Sequence, residues 1–356
     1  LVDYSTMARF VLASLFAQSV QAFNVGFAPP LARSLRASSV RMADDEFSYT
    51  PKTVFMFPGQ GAQTVGMGVE VAAEVPAAAE LYAKASEILG YDLLAKCKDG
   101  PKEELDSTVI SQPAIFVASM AAVEKLKATE EGAATIAAAD VACGLSLGEY
   151  TALAFAGAIS FEDGVKITKA RGEAMQAASE AASSGMVSVI GLKSDKVEEL
   201  CKAAAEATGE SVQIANFLCD GNYACSGSKA AVAKVAEIAK PEFKARMAVP
   251  LSVAGAFHTE FMAPAVPALE AVLKEVTVSK PRIPVISNVD AKTHSDPEVI
   301  KSILTKQVTA PVQWETIMKG LVDGGLEKGY ELGPGKVLAG IMKRVDKTKV
   351  IENVEV

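Results

Sequence analysis

Gly144-Leu145-Ser146-Leu147-Gly148-Glu149-Tyr150 is the strongest indication of the fold in this sequence. It has the G-x-S-x-G pattern of a nucleophile elbow, in which a serine occupies a sharp turn between a strand and a helix. The apolar run Thr135–Cys143 precedes it, and the helix-compatible run Glu149–Ala156 follows. Glycine tolerates so tight a turn, and the first N–H groups of the helix face a developing oxyanion. The stretch predicts an α/β fold with Ser146 as nucleophile; a Gly/Ser turn without chemistry is the alternative.

A serine nucleophile needs a neighbouring base, and the chain offers two histidines, His258 and His294. His258 lies in the apolar, small-residue run Val253–Met262, which suits a strand end or a tight loop. His294 lies in the polar run Asp290–Asp296, which is typical of a solvated turn. We therefore predict that His258 is the base of Ser146.

Composition excludes several classes of function. The 356 residues are 50% hydrophobic, enough for a sizeable core, and the net charge of −8 argues against nucleic-acid binding. The five cysteines show no C-x-x-C spacing and no histidine partners, so we expect reduced thiols and no metal site. No apolar run reaches the length of a membrane span, so we do not expect the mature enzyme to cross a membrane.

The N-terminal residues 1–45 have the composition of a targeting leader. Met7-Ala-Arg9 with Phe10–Ala17 resembles the start of a signal peptide, and Val20-Gln-Ala22 resembles its cleavage site. The following Phe23–Arg41 is rich in Arg, Ser and Ala, like a transit peptide. A signal peptide joined to a transit peptide predicts import into a plastid bounded by extra membranes, with the chloroplast stroma as destination. A flexible arm of the mature protein is the alternative.

Residues 46–183 read as the first part of a large α/β domain. Thr53–Phe57 is a short apolar strand that runs into the Gly-rich turn Pro58–Gln63. Helical patterns follow, and they are Val69–Leu89, Gln112–Lys127, the helix after the elbow, and Phe161–Ala182.

Residues 184–252 have a different pattern, in which short strands alternate with helices, and this pattern predicts a small subdomain. Its strands are expected at Val187–Leu192, Val212–Phe217, Tyr223–Gly227 and Met247–Ser252, with helices at Ser194–Ala207 and Lys229–Ile238. This β-α-β-β-α-β order is that of a ferredoxin-like unit. Residues 253–356 return to the large domain, with a strand at Arg282–Ser287 and a turn into a helix at Glu331–Leu338. The predicted fold class is a large α/β-hydrolase-like domain with an inserted ferredoxin-like subdomain.

Taken together, these pieces resemble the malonyl-CoA:acyl-carrier-protein transacylase family of type II fatty acid synthesis. The resemblance runs from about Phe55 to Arg344. It rests on six motifs in order, and they are Phe57–Gln63, Gly144–Tyr150, Arg171–Met175, Gly255–Thr259, Gln307 with Pro311–Trp314, and Gly333–Val337.

The resemblance implies a mechanism for the reaction. Ser146 would accept the acyl group, His258 would be its base, and Gln307 would take the place of the acid that orients the histidine in other triads. The backbone N–H groups of Leu147 and Gln60 would form the oxyanion hole. The omission of an acid is chemically reasonable, because a thioester is more electrophilic than an amide and its thiolate leaves easily.

The resemblance also implies a malonyl pocket. Arg171 would bind the free carboxylate of malonate, which its guanidinium matches in a two-pronged pair. Met175 lies four residues further along the same helix face and is expected to line the same pocket. Phe257, directly before the histidine, is the residue that related acyltransferases with malonyl rather than branched extender units have at this position. Asn216 is a further candidate for the pocket.

Two positions depart from the pattern of many relatives. Leu145 stands where many have a histidine, which leaves G-x-S-x-G intact. Asp220-Gly-Asn222 stands where relatives often carry Pro-Gly-Gln after the asparagine, which puts any role of that glutamine in doubt.

The partners follow from the same resemblance: malonyl-CoA as donor, acyl carrier protein as acceptor, no bound cofactor beyond the CoA thioester substrate, and a monomer. Carrier proteins are usually acidic, so docking on this acidic chain calls for a local basic patch. Lys336, Lys343 and Arg344 are the candidates, against the alternative of a solvated helix face. Three other functions stay open: a serine thioesterase or esterase, a polyketide-synthase-type acyltransferase, and a non-catalytic module that binds carrier protein. The leader and the end of the chain soon after Arg344 favour a free-standing enzyme.

Overall fold

The computed structural model of the chain describes residue 47 and residues 49–356. The predicted leader, residues 1–45, lies outside this part. Within it the strands are β1 Thr53–Phe57, β2 Val141–Gly144, β3 Ser184–Ile190, β4 Val212–Cys219, β5 Asn222–Ser228, β6 Met247–Pro250, β7 Val285–Ile286, β8 Lys328–Leu332 and β9 Ile351–Val354.

The α-helices of the same residues precede, separate and follow these strands. They are α1 Val69–Glu74, α2 Pro76–Leu89, α3 Leu93–Asp99, α4 Lys102–Asp106, α5 Thr108–Lys127, α6 Glu130–Ala137, α7 Leu147–Phe155, α8 Phe161–Ala181, α9 Ser194–Thr208, α10 Lys229–Ile238, α11 Val266–Glu275, α12 Pro297–Gln307, α13 Trp314–Asp323 and α14 Val337–Val345. A 3₁₀ helix, Glu260–Ala265, precedes α11.

The large sheet carries the elbow. Its strand order is β7-β2-β1-β8-β9, and every pair in it is parallel. β1 pairs with β2 so that Phe57 lies beside Gly144, the last residue of each strand. The Gly-rich turn after β1 and the elbow after β2 therefore leave the sheet at the same edge, where ligands bind in open α/β sheets.

The second sheet is antiparallel, with the order β4-β5-β3-β6. In chain order its elements run β3-α9-β4-β5-α10-β6, which is the split β-α-β arrangement predicted from the sequence. A two-residue turn at Asp220-Gly221 joins β4 and β5, and Gly221 has φ +76°, a conformation that glycine adopts without strain. The mixed α/β class with a small second sheet is confirmed; the boundaries 184 and 252 remain a prediction.

Helix α5 is the central helix of the large subdomain. By length and composition it is long and apolar enough to cross a membrane, but 72% of that stretch is buried within the protein. It packs against α8, α2 and α7, as a core helix does. Its longest uninterrupted apolar run is shorter than a membrane span, because Ser111, Gln112 and Pro113 lie among its apolar residues.

Several predicted bounds need correction. The run Thr135–Cys143 is not one element, since α6 ends at Ala137 and β2 begins at Val141. The pattern Val69–Leu89 divides at Val75, because Pro76 starts a new helix where it needs no N–H donor. The strand predicted at Arg282–Ser287 is reduced to the two residues of β7.

Candidate active site

Ser146 stands at the turn between β2 and α7 in a strained backbone conformation. Its φ of 52° and ψ of −102° lie in a region that residues other than glycine rarely adopt. Such strain persists only where the surroundings hold it, and it projects the side chain out of the turn. The local geometry is therefore that of a nucleophile elbow.

The two glycines of the motif are needed because the turn brings backbone segments into contact. A Cβ on Gly144 would lie 1.9 Å from the carbonyl carbon of Gly148, and a Cβ on Gly148 would lie 2.0 Å from the carbonyl oxygen of Phe57. Both neighbours are backbone atoms that cannot move aside. The elbow thus depends on the absence of a side chain at these positions.

Asn288 holds the elbow in place and was missed by the sequence analysis. Its Oδ1 accepts from the Ser146 N–H at 2.6 Å, and its Nδ2 donates to the Gly144 carbonyl at 2.7 Å. It follows β7, the neighbour of β2 in the sheet. Its position just beyond a predicted strand could have indicated this role, because the carboxyl ends of adjacent parallel strands meet at one edge of the sheet.

His258 and Ser146 form a hydrogen-bonded pair. The Oγ of Ser146 lies 2.8 Å from Nε2 of His258, and Nδ1 of His258 lies 2.8 Å from the backbone carbonyl oxygen of Gln307. A carbonyl only accepts, so Nδ1 carries the proton and Nε2 is left to accept from the serine hydroxyl. This tautomer is the one that a general base requires.

The surroundings keep His258 neutral. Burial first, and then the positive charge of Arg171, lower the pKa of His258 from its usual 6.5 to about 4. At neutral pH the imidazole therefore has its lone pair free to accept a proton.

Gln307, at the end of α12, serves the site through both its backbone and its side chain. Its backbone carbonyl oxygen accepts the hydrogen bond from Nδ1 of His258. In the side chain, Oε1 accepts from Nη2 of Arg171 at 3.0 Å. Its Nε2 donates to the Ser146 carbonyl at 3.0 Å and to Oε2 of Glu149 at 2.6 Å. The residue that the resemblance singled out is thus at the predicted place and also joins three other groups.

Arg171 extends from α8 into the same centre and is 1% exposed. Its Nη2 donates to Oγ of Ser146 at 3.1 Å, and its Nη1 donates to Oε1 of Gln112 at 2.7 Å. The guanidinium also lies 5.1 Å from the ring centroid of Tyr150. A cation beside the serine hydroxyl is positioned to bind an anionic group carried by an acyl chain on that serine.

Glu149, three residues after the nucleophile, is a buried carboxyl behind the elbow. It accepts from the Asn288 N–H at 3.0 Å and from the side chain of Gln307. Burial outweighs these hydrogen bonds and raises its pKa to about 7. Glu149, Gln112 and Asn288 are polar residues of the site that were not predicted from the sequence. Gln112 could have been found, because it is a polar residue within an otherwise apolar helix.

A cavity of about 280 Å³ opens in front of Ser146, between the two sheets. The predicted site residues that line it are Gln60, Ser146, Arg171, Met175, Asn216, Phe257 and His258. Leu147 and Gln307 lie behind it, fully buried. Leu145, one of the departures from the pattern, also lines the cavity and gives it an apolar wall. The structure therefore brings all the predicted residues to one centre.

The predicted oxyanion hole lies where the two turns meet. The Leu145 N–H donates to the Phe57 carbonyl at 3.0 Å, and a Cβ on Gly59 would come within 2.3 Å of the Leu145 carbonyl oxygen. Leu147 is the first residue of α7, where the N–H has no partner within the helix. The N–H of Ser146 itself is taken by Asn288. The assignment to Leu147 and Gln60 remains a prediction that this geometry supports.

The described part of the chain contains no group of three or more His, Cys, Asp or Glu side chains that could hold a metal ion. Its five cysteines are buried and unpaired.

Comparison with known proteins adds the family. The model of the acyl transferase domain matches residues 54–355. The malonyl CoA-acyl carrier protein transacylase of Escherichia coli (strain K12) is 40% identical over 294 residues, 83% of this chain and 93% of that protein. The mitochondrial malonyl-CoA-acyl carrier protein transacylase of Mus musculus is 41% identical over 303 residues, 82% of this chain and 78% of that protein. The chain belongs to the malonyl-CoA:acyl-carrier-protein transacylase family.

Solved structures of the family have the same fold. The acyl carrier protein S-malonyltransferase of Vibrio cholerae superposes with a TM-score of 0.79 at 38% identity, covering 85% of this chain and 97% of that one. A malonyl-transacylase solved in complex with a type II polyketide-synthase acyl-carrier protein gives a TM-score of 0.78 at 34% identity, covering 85% and 95%. The two-subdomain fold is therefore that of the family's malonyltransferases.

Proposed function

We propose that the protein transfers the malonyl group of malonyl-CoA to the phosphopantetheine thiol of acyl carrier protein, through a malonyl ester on Ser146. The observation that carries this is the placement of the Arg171 guanidinium 3.1 Å from the Ser146 hydroxyl. Malonate differs from a simple acyl group by a second carboxylate, and this arginine lies where that carboxylate would be. The relatives named above transfer malonyl groups and support the same reaction.

The first half-reaction forms the ester. His258 Nε2 takes the proton of Ser146 as Oγ attacks the thioester carbonyl, and the backbone N–H groups of Leu147 and Gln60 stabilise the oxyanion. When the tetrahedral intermediate collapses, the C–S bond breaks and the imidazolium returns the proton to the CoA sulfur. CoA thiol leaves and the malonyl group stays on the serine.

The second half-reaction reverses these steps with another thiol. Neutral His258 takes the proton of the pantetheine thiol of the carrier protein, and the thiolate attacks the ester carbonyl. Collapse of this intermediate breaks the bond to Ser146 Oγ and returns the proton to it. The enzyme is regenerated, and the kinetics are ping-pong.

A single experiment tests the intermediate. Intact-mass spectrometry after exposure to malonyl-CoA should show one malonyl adduct on the wild-type chain and none on Ser146→Ala. A labelled Ser146→Ala chain would overturn the assignment.

A second assay separates a transferase from a thioesterase. A transferase passes the labelled malonyl group to carrier protein and releases little free malonate when carrier protein is absent.

We also propose that the carrier protein docks beside α14. Lys343 and Arg344 are exposed on this helix, whose Val337 and Ile341 line the cavity. Lys336 is less available than expected, since its Nζ pairs with Glu355 at 3.0 Å. A basic edge next to the cavity would attract an acidic carrier protein.

Location, cofactors and assembly are proposals as well. We propose a plastid enzyme, directed by residues 1–45, that works as a monomer without a bound cofactor. A fluorescent fusion of these residues, expressed in an alga whose plastid has extra membranes, should label the plastid stroma. Mitochondrial labelling would refute this location. It is the outcome to compare against, because the Mus musculus relative is named as a mitochondrial protein.

A further inference from the structure

Glu149 is a buried carboxyl group that neither half-reaction uses. It lies in the first turn of α7, next to the elbow, and is 3% exposed. Its Oε2 accepts from the backbone N–H of Asn288 at 3.0 Å and from Nε2 of Gln307 at 2.6 Å. Burial of a carboxyl group costs free energy, which such hydrogen bonds offset only in part. A carboxyl kept at this cost beside the nucleophile indicates a role in the site.

The hydrogen bond to Glu149 fixes the orientation of the Gln307 side-chain amide. Nε2 of that amide also donates to the Ser146 carbonyl at 3.0 Å, so the nitrogen end of the amide faces two acceptors. Oε1 is left on the other side, where it accepts from Nη2 of Arg171 at 3.0 Å. A turned amide would place its N–H groups against a guanidinium, which only donates. Glu149 therefore favours the one orientation in which Gln307 accepts from Arg171.

The same arrangement keeps the charge of Arg171 available to an acyl group. Its Nη1 donates to Oε1 of Gln112, and its Nη2 donates to Oγ of Ser146 and to Oε1 of Gln307. All three of these oxygens are uncharged. The Gln307 amide lies between the Glu149 carboxyl and the guanidinium. A carboxylate bonded directly to the arginine would neutralise it and compete with the carboxylate of an acyl group.

His258 depends on a different part of Gln307. Its Nδ1 donates to the backbone carbonyl of Gln307, which stays in place when the side-chain amide turns. Loss of the hydrogen bond from Glu149 would therefore disturb Arg171 and leave the base in position.

We propose that Glu149 is a positioning residue that sets the choice of acyl group: it acts through the side-chain amide of Gln307 to hold Arg171 beside Ser146. The proposal rests on the function proposed above. Among the described residues, Glu149 is not one that lines the cavity, so it acts on an acyl group only through its neighbours. Its removal should affect a malonyl group, which needs the arginine, more than an acetyl group, which does not.

The test measures a selectivity ratio, the kcat/KM for malonyl-CoA divided by the kcat/KM for acetyl-CoA. Glu149→Leu removes the acceptor and should lower this ratio about tenfold, the size expected for the loss of one hydrogen bond to a charged group. Glu149→Gln should keep the ratio within about twofold of the wild-type value, since the Asn288 N–H keeps a carbonyl oxygen turned toward both donors.

Two controls separate positioning from a general loss of stability. Glu315→Leu removes another largely buried carboxyl, 13% exposed, which accepts from the Tyr223 hydroxyl at 3.1 Å. It should lower the melting temperature and leave the selectivity ratio unchanged. Gln307→Met removes the side-chain amide and keeps the backbone carbonyl. In that background Glu149→Leu should change the ratio by less than about twofold, because the group through which Glu149 acts is gone.

The outcomes are distinct. An unchanged ratio for Glu149→Leu, with kcat/KM for both donors lowered equally, would show that Glu149 only supports the elbow. A tenfold fall of the ratio that persists in the Gln307→Met background would show that Glu149 acts without the amide. Either result overturns the proposal.

A shorter side chain keeps the test decisive if Glu149→Leu fails to fold. Glu149→Asp moves the carboxyl back by one methylene and should lower the ratio several-fold, so an unchanged ratio would overturn the proposal. A wild-type chain that transfers neither acyl group would instead refute the proposed function.

Discussion

Replacement of Arg171 tests how the site selects its acyl group. In the structure the guanidinium is buried, and one of its Nη2 hydrogen bonds goes to the Ser146 hydroxyl. A malonyl group on that serine would bring its carboxylate to the same cation, whereas an acetyl group would leave the guanidinium desolvated without an anion. Arg171→Ala should therefore change the choice of substrate as well as the rate.

The magnitude follows from the contacts that are lost. A charge-assisted hydrogen bond contributes about 1.5–3 kcal/mol, and a bidentate pair somewhat more, with about 1.4 kcal/mol for each factor of ten. We expect kcat/KM for malonyl-CoA to fall by about 10- to 1000-fold and that for acetyl-CoA to hold steady or rise. Arg171→Lys should recover part of the loss, because a point charge cannot reproduce the fork.

The assay compares transfer of radiolabelled malonyl and acetyl groups from CoA to carrier protein. Arg171→Ala also leaves Oε1 of Gln112 and Oε1 of Gln307 without their donor, so thermal unfolding should be measured for every variant. Arg282→Ala is a matched control, since Arg282 lies over the ring of Phe155 and is not among the cavity-lining residues. If Arg171→Ala lowered malonyl and acetyl transfer equally, the arginine would be structural and this account of selectivity wrong.

Two further predictions concern the base and the elbow, and a third concerns the carrier protein. The neutral imidazole is the active form of the base, and the pKa of His258 is about 4. The single-turnover rate of acylation should therefore stay level from pH 8 to about 5 and fall only below that. A fall of the rate near pH 6.5 would contradict the assignment. Asn288→Ala should lower kcat at least tenfold and reduce the melting temperature, because the strained turn at Ser146 loses two hydrogen bonds; an unchanged rate of adduct formation in mass spectrometry would refute this role. Lys343→Glu with Arg344→Glu should raise the KM for carrier protein and leave that for malonyl-CoA unchanged, whereas equal effects in steady-state assays would exclude docking there.

Much of the architecture was encoded in local patterns. The bounds predicted for β1 and α10 match the structure, and α8 differs from its prediction by one residue. These elements have clear periodicity and clear ends, such as the Ser228 side chain that caps α10. The elements without such signals, including the short helices α3 and α4, were not predicted.

Residue types and their spacing were enough to identify the side chains that carry the chemistry. The G-x-S-x-G spacing marked Ser146, the small number of histidines marked His258, and the order of six motifs marked Arg171 and Gln307. Motif residues can be recognised in this way because their chemistry depends on residue type, which the sequence states directly.

The hydrogen bonds that join these groups could be seen only in the folded protein. The structure shows that Gln307 orients His258 through its backbone carbonyl and that its side chain bonds to Arg171 and Glu149. It also shows that Asn288, 142 residues from Ser146 in sequence, holds the elbow. A hydrogen bond depends on distance and direction between atoms that folding brings together, and any residue offers backbone groups for it. Residue identity therefore cannot reveal which of its atoms will be used.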